Sequence, residues 1–269
     1  MPPLFALAAL VLTLAAPATA PAAQDPLAEA RRLYNLGDYD GAERAARQAS
    51  DQPTLTEGAR VVLGRIQLER YRRSGDQADL SAARTSLRTA DPRALDQRER
   101  LELTLGFAEA LFLEDRFGAA AELFEPTIEA SAVLGPAAHE RVLDWWATAL
   151  DRQAQVRPPS ERAAIYERIA ERMAVEIARD PASTAAGYWI VAAARGRGDV
   201  ERAWQAALAG WMRAPQARDR GAALRADLDR LVVQAIIPER LARLGLRDQT
   251  AALAGMVGEW EAFKTAWTR

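Results

Sequence analysis

Apolar residues recur at intervals of three and four positions along most of the chain, which is the spacing that gives a helix one apolar face. No segment shows the alternating pattern that is typical of a strand. The sequence therefore predicts an all-α protein. Proline recurs every 34 to 45 residues, and because proline is incompatible with a helix interior, this spacing predicts units of two helices. These prolines are Pro53, Pro92, Pro136, Pro181 and Pro215.

A finer pattern recurs within these units: small residues on two helices, larger apolar residues beside them, and a short turn between the helices. Clear copies lie at residues 33–49, 107–124 and 190–215, and degenerate copies at 63–90 and 146–181. The first three contain Leu33, Tyr34, Gly37, Asp38, Tyr39, Asp40, Ala42 and Ala49; Phe107, Ala108, Leu111, Phe117, Ala120 and Phe124; and Ile190, Val191, Ala194, Gly198, Asp199, Val200, Ala203, Gly210 and Pro215. The pattern resembles the tetratricopeptide repeat, a helix-turn-helix unit of about 34 residues.

The resemblance implies a right-handed solenoid of about five helical hairpins over residues 23–215, closed by a C-terminal helical cap over residues 216–269. Only small residues fit where two helices of a hairpin cross closely, so we expect Ala108 to face Ala120. One hairpin cannot bury its apolar face alone, and stacking of several hairpins supplies a continuous core. Asp115 departs from the family pattern, in which glycine is usual at that turn.

Several helix ends are marked by particular residues. Asp96 with Glu99, and Thr54 with Glu57, have the spacing of a capping box, in which two side chains bond each other's backbone N–H groups. Pro126 falls inside a predicted helix and is expected to kink or end it.

The first 24 residues carry no charged side chain, and their apolar run, residues 4–16, has the length found in secretory signal peptides. Small residues follow, and cleavage after Ala22 predicts a signal peptide over residues 1–22. Because Lys and Arg are missing before the apolar run, an uncleaved N-terminal membrane anchor is the alternative. We expect a periplasmic or secreted bacterial protein with no integral membrane segment after cleavage, since charges recur throughout the remainder.

Composition removes several classes of function. The net charge of −2 supplies no basic field for a phosphate backbone, so nucleic acid is not expected as a partner. The chain has no Cys and one His, which excludes thiolate chemistry and sites that need two imidazoles. His139 is predicted at the exposed start of a helix, and Asp227 and Asp229 are predicted to be solvated. We expect a protein that is not an enzyme and has no cofactor or metal.

The first helix of each hairpin is expected to line a concave groove, and the resemblance implies that its residues away from the packing positions meet a partner. Arg and Tyr are enriched among interface residues, which suits this role. The sequence thus predicts a scaffold or adaptor of the bacterial cell envelope that binds a peptide or partner protein. The candidate residues are Arg31, Tyr34, Asn35, Arg65, Glu109, Phe112, Arg141, Asp144, Asp151, Tyr188 and Arg195.

Two alternative functions stay open. A solenoid that self-assembles would expose apolar surface around Trp260, Phe263 and Trp267. A binding protein for a small molecule would enclose a pocket near the fourth and fifth hairpins.

Overall fold

The computed structural model describes residues 25–217, 219–245 and 248–268. These residues form helices and turns without any strand, which confirms the predicted all-α class. The predicted signal peptide, residues 1–22, lies outside the described residues. Within the described ranges, no helix combines the length and the apolar character that crossing a bilayer requires.

Ten helices pack in consecutive pairs, called hairpins 1 to 5 below. The pairs are α1 (Pro26–Leu36) with α2 (Tyr39–Ser50), α3 (Thr56–Ser74) with α4 (Gln77–Thr89), α5 (Gln97–Leu113) with α6 (Phe117–Phe124), α8 (Pro136–Gln155) with α9 (Pro159–Arg179), and α10 (Thr184–Gly196) with α11 (Val200–Arg213). Between hairpins 3 and 4 lie α7 (Thr127–Ala130) and a 3-10 turn (Ser131–Leu134). A 3-10 turn (Ala214–Gln216), α12 (Ala222–Leu231), a π-helical turn (Val232–Ile236), α13 (Ile237–Leu244) and α14 (Gln249–Trp267) follow.

Aspartate precedes many of the helices because its carboxylate accepts a hydrogen bond from a backbone N–H that the first turn leaves unpaired. The aspartates in this role are Asp25, Asp38, Asp76, Asp96, Asp199 and Asp248. Asp96 and Glu99 form the predicted capping box. The box predicted for Thr54 and Glu57 is wrong, because α3 begins at Thr56 and the Glu57 carboxylate instead accepts from the backbone N–H of Asp91.

The turns of hairpins 1, 3 and 5 share one residue in the left-handed backbone region. Gly37 has φ +77° and Gly198 has φ +81°, and glycine adopts this region without a steric penalty. Asp115 occupies the same place in hairpin 3 with φ +59°, so the turn keeps its conformation without glycine. As predicted, the helix that precedes Pro126 ends there, at Phe124.

Residues that the repeat pattern places at the contact between the two helices of a hairpin are buried. Ala108 and Ala120 are fully buried in hairpin 3, as are Val191 and Ala203 in hairpin 5. The first helices of several hairpins also contact one another: α1 packs on α3, α3 on α5, α8 on α10, and α10 on α12. These first helices form the layer that carries the candidate site.

Trp260 holds the last helix, α14, against the preceding helices. Its fully buried indole lies 5.3 Å from the Trp211 ring and 5.8 Å from the Trp204 ring, measured between centroids. Its Nε1 donates to Asp229 at 2.8 Å, and Lys264 Nζ donates to the same carboxylate at 2.7 Å. The prediction that Asp229 is simply solvated is therefore wrong, because two donors of α14 converge on it.

Candidate functional site

Two cavities open along the layer of first helices. The first, called the N-terminal cleft, lies between α1, α3, α5 and α8 and has a volume of about 60 Å³. Its lining includes Arg31, Tyr34, Asn35, Arg65, Glu102, Glu109, Arg141 and Trp145. The second, called the central groove, lies between α8, α10 and α12 and has a volume of about 750 Å³. Its lining includes Glu140, Arg141, Asp144, Asp151, Arg152, Tyr188, Trp189, Asp227 and Arg230.

Several charged side chains of the N-terminal cleft pair with one another, although Arg141 forms no ion pair with the described residues. Arg31 reaches from α1 to α5, where its Nη2 lies 3.1 Å from Glu99 Oε1 and its Nε lies 3.0 Å from Glu102 Oε2. Arg65 on α3 donates from Nη2 to Glu109 Oε1 on α5 at 2.9 Å. Because these partners are mostly buried, the ion pairs close the cleft to a narrow space.

Packing around these ion pairs tightens the cleft further. The Arg65 guanidinium lies 4.9 Å from the centre of the Tyr34 ring, and burial raises the pKa of the Tyr34 hydroxyl. Gly58 on α3 lies beneath the bridge from α1 to α5, and a Cβ at that position would come within 2.7 Å of Leu27 Cδ2. A side chain at this position would displace the ends of the Leu27 and Glu99 side chains, so glycine leaves room for the bridge.

Two carboxylates of the central groove, those of Glu140 and Asp144, are held by neutral donors instead. Glu140 accepts from the Thr184 hydroxyl at 3.0 Å and from the Ala185 backbone N–H at 2.8 Å. Asp144 accepts from Trp189 Nε1 at 2.8 Å. These hydrogen bonds fix the carboxylates on the groove wall and leave their negative charges without a cationic partner among the described residues.

Tyr188 lies at the middle of the central groove, on α10 between α8 and α12. Burial raises the pKa of its hydroxyl, and the nearby carboxylates of Asp227, Asp151 and Asp144 raise it further. Burial also raises the pKa of Asp144, and the charges of Asp227 and Glu140 add to this shift. The lining of the groove carries four carboxylates, Glu140, Asp144, Asp151 and Asp227, and three arginines, Arg141, Arg152 and Arg230.

Two of the predicted residues line neither cavity. The Phe112 ring packs edge-on against Trp145, with 4.8 Å between centroids, and so supports the cleft wall from behind. Arg195 Nη2 lies 2.7 Å from Glu239 Oε1 and joins α10 to α13. Arg141 lies on the boundary and lines both cavities, and Asn35 is exposed beside the cleft.

Sequence analysis did not assign Glu99 and Glu102 to the cleft, or Glu140 and Asp227 to the groove. For Glu140, a signal exists in the sequence separation from its partner, which recurs at two other bonded pairs of the site. Arg65 and Glu109 are 44 positions apart, as are Glu140 and Thr184, while Asp144 and Trp189 are 45 apart. The prolines at 92, 136 and 181 are separated by the same intervals, so these residues recur in register with the helix pairs.

His139 is not at an exposed helix start as predicted. Its Nδ1 lies 2.8 Å from Ser131 Oγ and its Nε2 lies 3.1 Å from a carboxylate oxygen of Glu176. This Ser–His–Glu order resembles a hydrolase triad only in its residue types. Ser131 is fully buried and its hydroxyl donates to the Ile128 carbonyl oxygen, so this arrangement is part of the core.

Comparison with protein families, with curated proteins and with solved structures finds no match to this chain. Across the part of the chain that the structure describes, no group of three or more His, Cys, Asp and Glu side chains is arranged to hold a metal ion.

Proposed function

We propose that the helix pairs stack as a right-handed solenoid of about five tetratricopeptide-like hairpins, with α12 to α14 as its C-terminal cap. Support comes from a sequence separation that recurs between bonded residues on different helices. Hydrogen bonds join residues 44 or 45 positions apart in three places, namely Arg65 of α3 to Glu109 of α5, Trp189 of α10 to Asp144 of α8, and Arg195 of α10 to Glu239 of α13. A constant offset between contacting residues is what stacked repeats produce, because each repeat meets its neighbour in the same way.

We propose that the protein is a non-enzymatic adaptor of the bacterial cell envelope that binds an extended peptide segment in the central groove. The observation that carries this proposal is a large open groove in which two fixed carboxylates, Glu140 and Asp144, have no cationic partner among the described residues. The groove follows α8 from Glu140 to Gln155, a distance of about 22 Å at 1.5 Å per residue. An extended peptide of about seven residues spans that length.

The structural features favour this proposal over the two alternatives. Self-assembly through the cap calls for exposed aromatic surface, whereas Trp260 is fully buried and Phe263 is half-buried, with Trp267 exposed. An enclosed small molecule calls for a closed pocket near hairpins 4 and 5, whereas the groove in that place is open to solvent.

The test is selection of peptides from a displayed random library on the immobilised protein. Thr148 lines the central groove, so Thr148→Trp should fill it and abolish binding of the selected peptides. Asn35 is exposed beside the N-terminal cleft, so Asn35→Trp is the matched control and should leave binding unchanged. Circular dichroism and unfolding midpoints establish that all three proteins are equally folded. Failure to select any peptide, or equal loss in both variants, would contradict the proposal.

A further inference from the structure

The centre of the central groove combines an aromatic face with carboxylates on two sides. Tyr188 is half-buried on α10, and its hydroxyl makes no hydrogen bond to the described residues. Asp144 projects from α8 and Asp227 from α12, the helices that flank α10. Asp144, Tyr188 and Asp227 all line the central groove. A groove that is open at this point therefore presents a ring with negative charge on either side.

The arginines of the groove do not neutralise this centre. Arg141 and Arg152 are exposed and form no ion pair with the described residues. Arg230 pairs with Asp227 at 3.1 Å, but both side chains are about half-exposed, so water screens this pair. The groups that shift the pKa of Asp144 upward are burial and the carboxylates of Asp227 and Glu140. Glu140 and Asp144 thus keep their charges unpaired beside the exposed Arg141 and Arg152.

We propose that the central groove selects peptides that place a lysine or arginine side chain over Tyr188, between Asp144 and Asp227. A cation over an aromatic ring is attracted by the negative face of the ring, and flanking carboxylates add charge-assisted hydrogen bonds. The aliphatic stem of the same side chain packs on the ring edge. This inference rests on the proposed function, since it names the residue that a bound peptide must carry.

The positions of the Asp144 and Asp227 carboxylates favour a side-chain cation over a metal ion as the ligand. Asp144 and Asp227 come from helices on opposite sides of α10, and they belong to no cluster arranged for a metal ion among the described residues. A side-chain cation can contact a ring below it and carboxylates on both sides at once. The exposed Arg141 and Arg152 at the rim are available to the backbone carbonyl groups or acidic side chains on either side of that cation.

The test uses three synthetic peptide libraries that differ only in their central residue, which is lysine, norleucine or glutamate, with randomised flanks. We expect the protein to retain the lysine library about 10-fold more than the norleucine library, and the glutamate library least. Tyr188→Leu should remove the preference, while Tyr188→Phe, which keeps the ring, should retain it. Asp144→Asn combined with Asp227→Asn should also remove it.

The control for net charge is Asp51→Asn combined with Glu171→Gln, which removes two exposed carboxylates outside the groove. It should leave the preference for lysine intact. If the protein retains the lysine and norleucine libraries equally, the inference is wrong but the proposed function stands. The same holds if the groove variants keep the preference for lysine. Retention of none of the three libraries contradicts the proposed function as well, and thus the two failures are distinguishable. Circular dichroism of every variant verifies the fold.

Discussion

The N-terminal cleft and the central groove belong to the same layer of helices and differ in how their carboxylates are satisfied. In the cleft, Glu99, Glu102 and Glu109 each meet an arginine from another first helix. In the groove, Glu140 and Asp144 meet a hydroxyl, a backbone N–H and an indole N–H. Neutral donors orient a carboxylate without cancelling its charge. The comparison teaches that the type of donor, more than the number of acidic residues, decides which surface can attract a ligand.

The two regions also differ in size for a related reason. The ion pairs of Arg31 connect α1 to α5 directly and draw the walls of the cleft together, leaving about 60 Å³. The hydrogen bonds of the groove join only neighbouring helices, α8 with α10, and the space between α8 and α12 stays at about 750 Å³.

The largest expected change in stability comes from removing a buried carboxylate of the N-terminal cleft. Glu102 is 4% exposed and accepts hydrogen bonds from both Arg31 and Arg98. Glu102→Ala should lower the free energy of unfolding by about 3 kcal/mol, because it leaves the mostly buried Arg31 with one carboxylate instead of two. Urea unfolding measures the change. Asp227→Ala in the groove is the comparison and should change stability by less than about 0.5 kcal/mol. Equal losses would contradict the distinction between the two regions.

A double-mutant cycle compares a buried ion pair of the cleft with an exposed ion pair of the groove. Arg65 and Glu109 are mostly buried, and their coupling free energy should be about 1 to 2 kcal/mol. Arg230 and Asp227 on α12 are about half-exposed, and their coupling should be below about 0.5 kcal/mol, falling further with salt. Alanine variants of each residue and both doubles supply the cycles. A groove pair that couples as strongly as the cleft pair would argue against an open, solvated groove.

The smallest expected change is in how stability depends on pH through the Asp144 carboxylate. The pKa of Asp144 is raised in the folded protein, so its ionised form destabilises the native state above that pKa. Asp144→Asn keeps an oxygen that can accept from Trp189 and removes the charge. The variant should therefore be slightly more stable than the parent at pH 7. The gain should disappear as the pH falls below the ordinary aspartate value of about 3.9. Urea unfolding across this range tests the sign, and a loss at pH 7 would contradict it.

Local sequence rules predicted much of the fold. Helical periodicity, proline spacing and the Asp96 capping box depend on residues close in the chain, and the structure contains the corresponding helices and cap. The turn at Asp115 departs from the glycine rule for such turns, because its backbone is left-handed without a glycine.

The candidate site was predicted less completely, because its chemistry depends on partners far apart in sequence. Most of the residues that were predicted from the repeat pattern line either the N-terminal cleft or the central groove. It did not indicate that Arg31 and Arg65 are engaged by glutamates of α5, or that Asp227 of α12 completes the groove. His139 was misplaced for the same reason, since Glu176 lies 37 positions away.

The bridge from Arg31 to Glu102 spans 71 positions and passes over hairpin 2. It therefore links hairpins 1 and 3, which hairpin 2 separates along the chain. Fraying of α1 then requires loss of a contact on α5, so hairpins 1 to 3 behave as one cooperative block. Amide protons of α1 should exchange with solvent nearly as slowly as those of α5, although α1 lies at the end of the described chain.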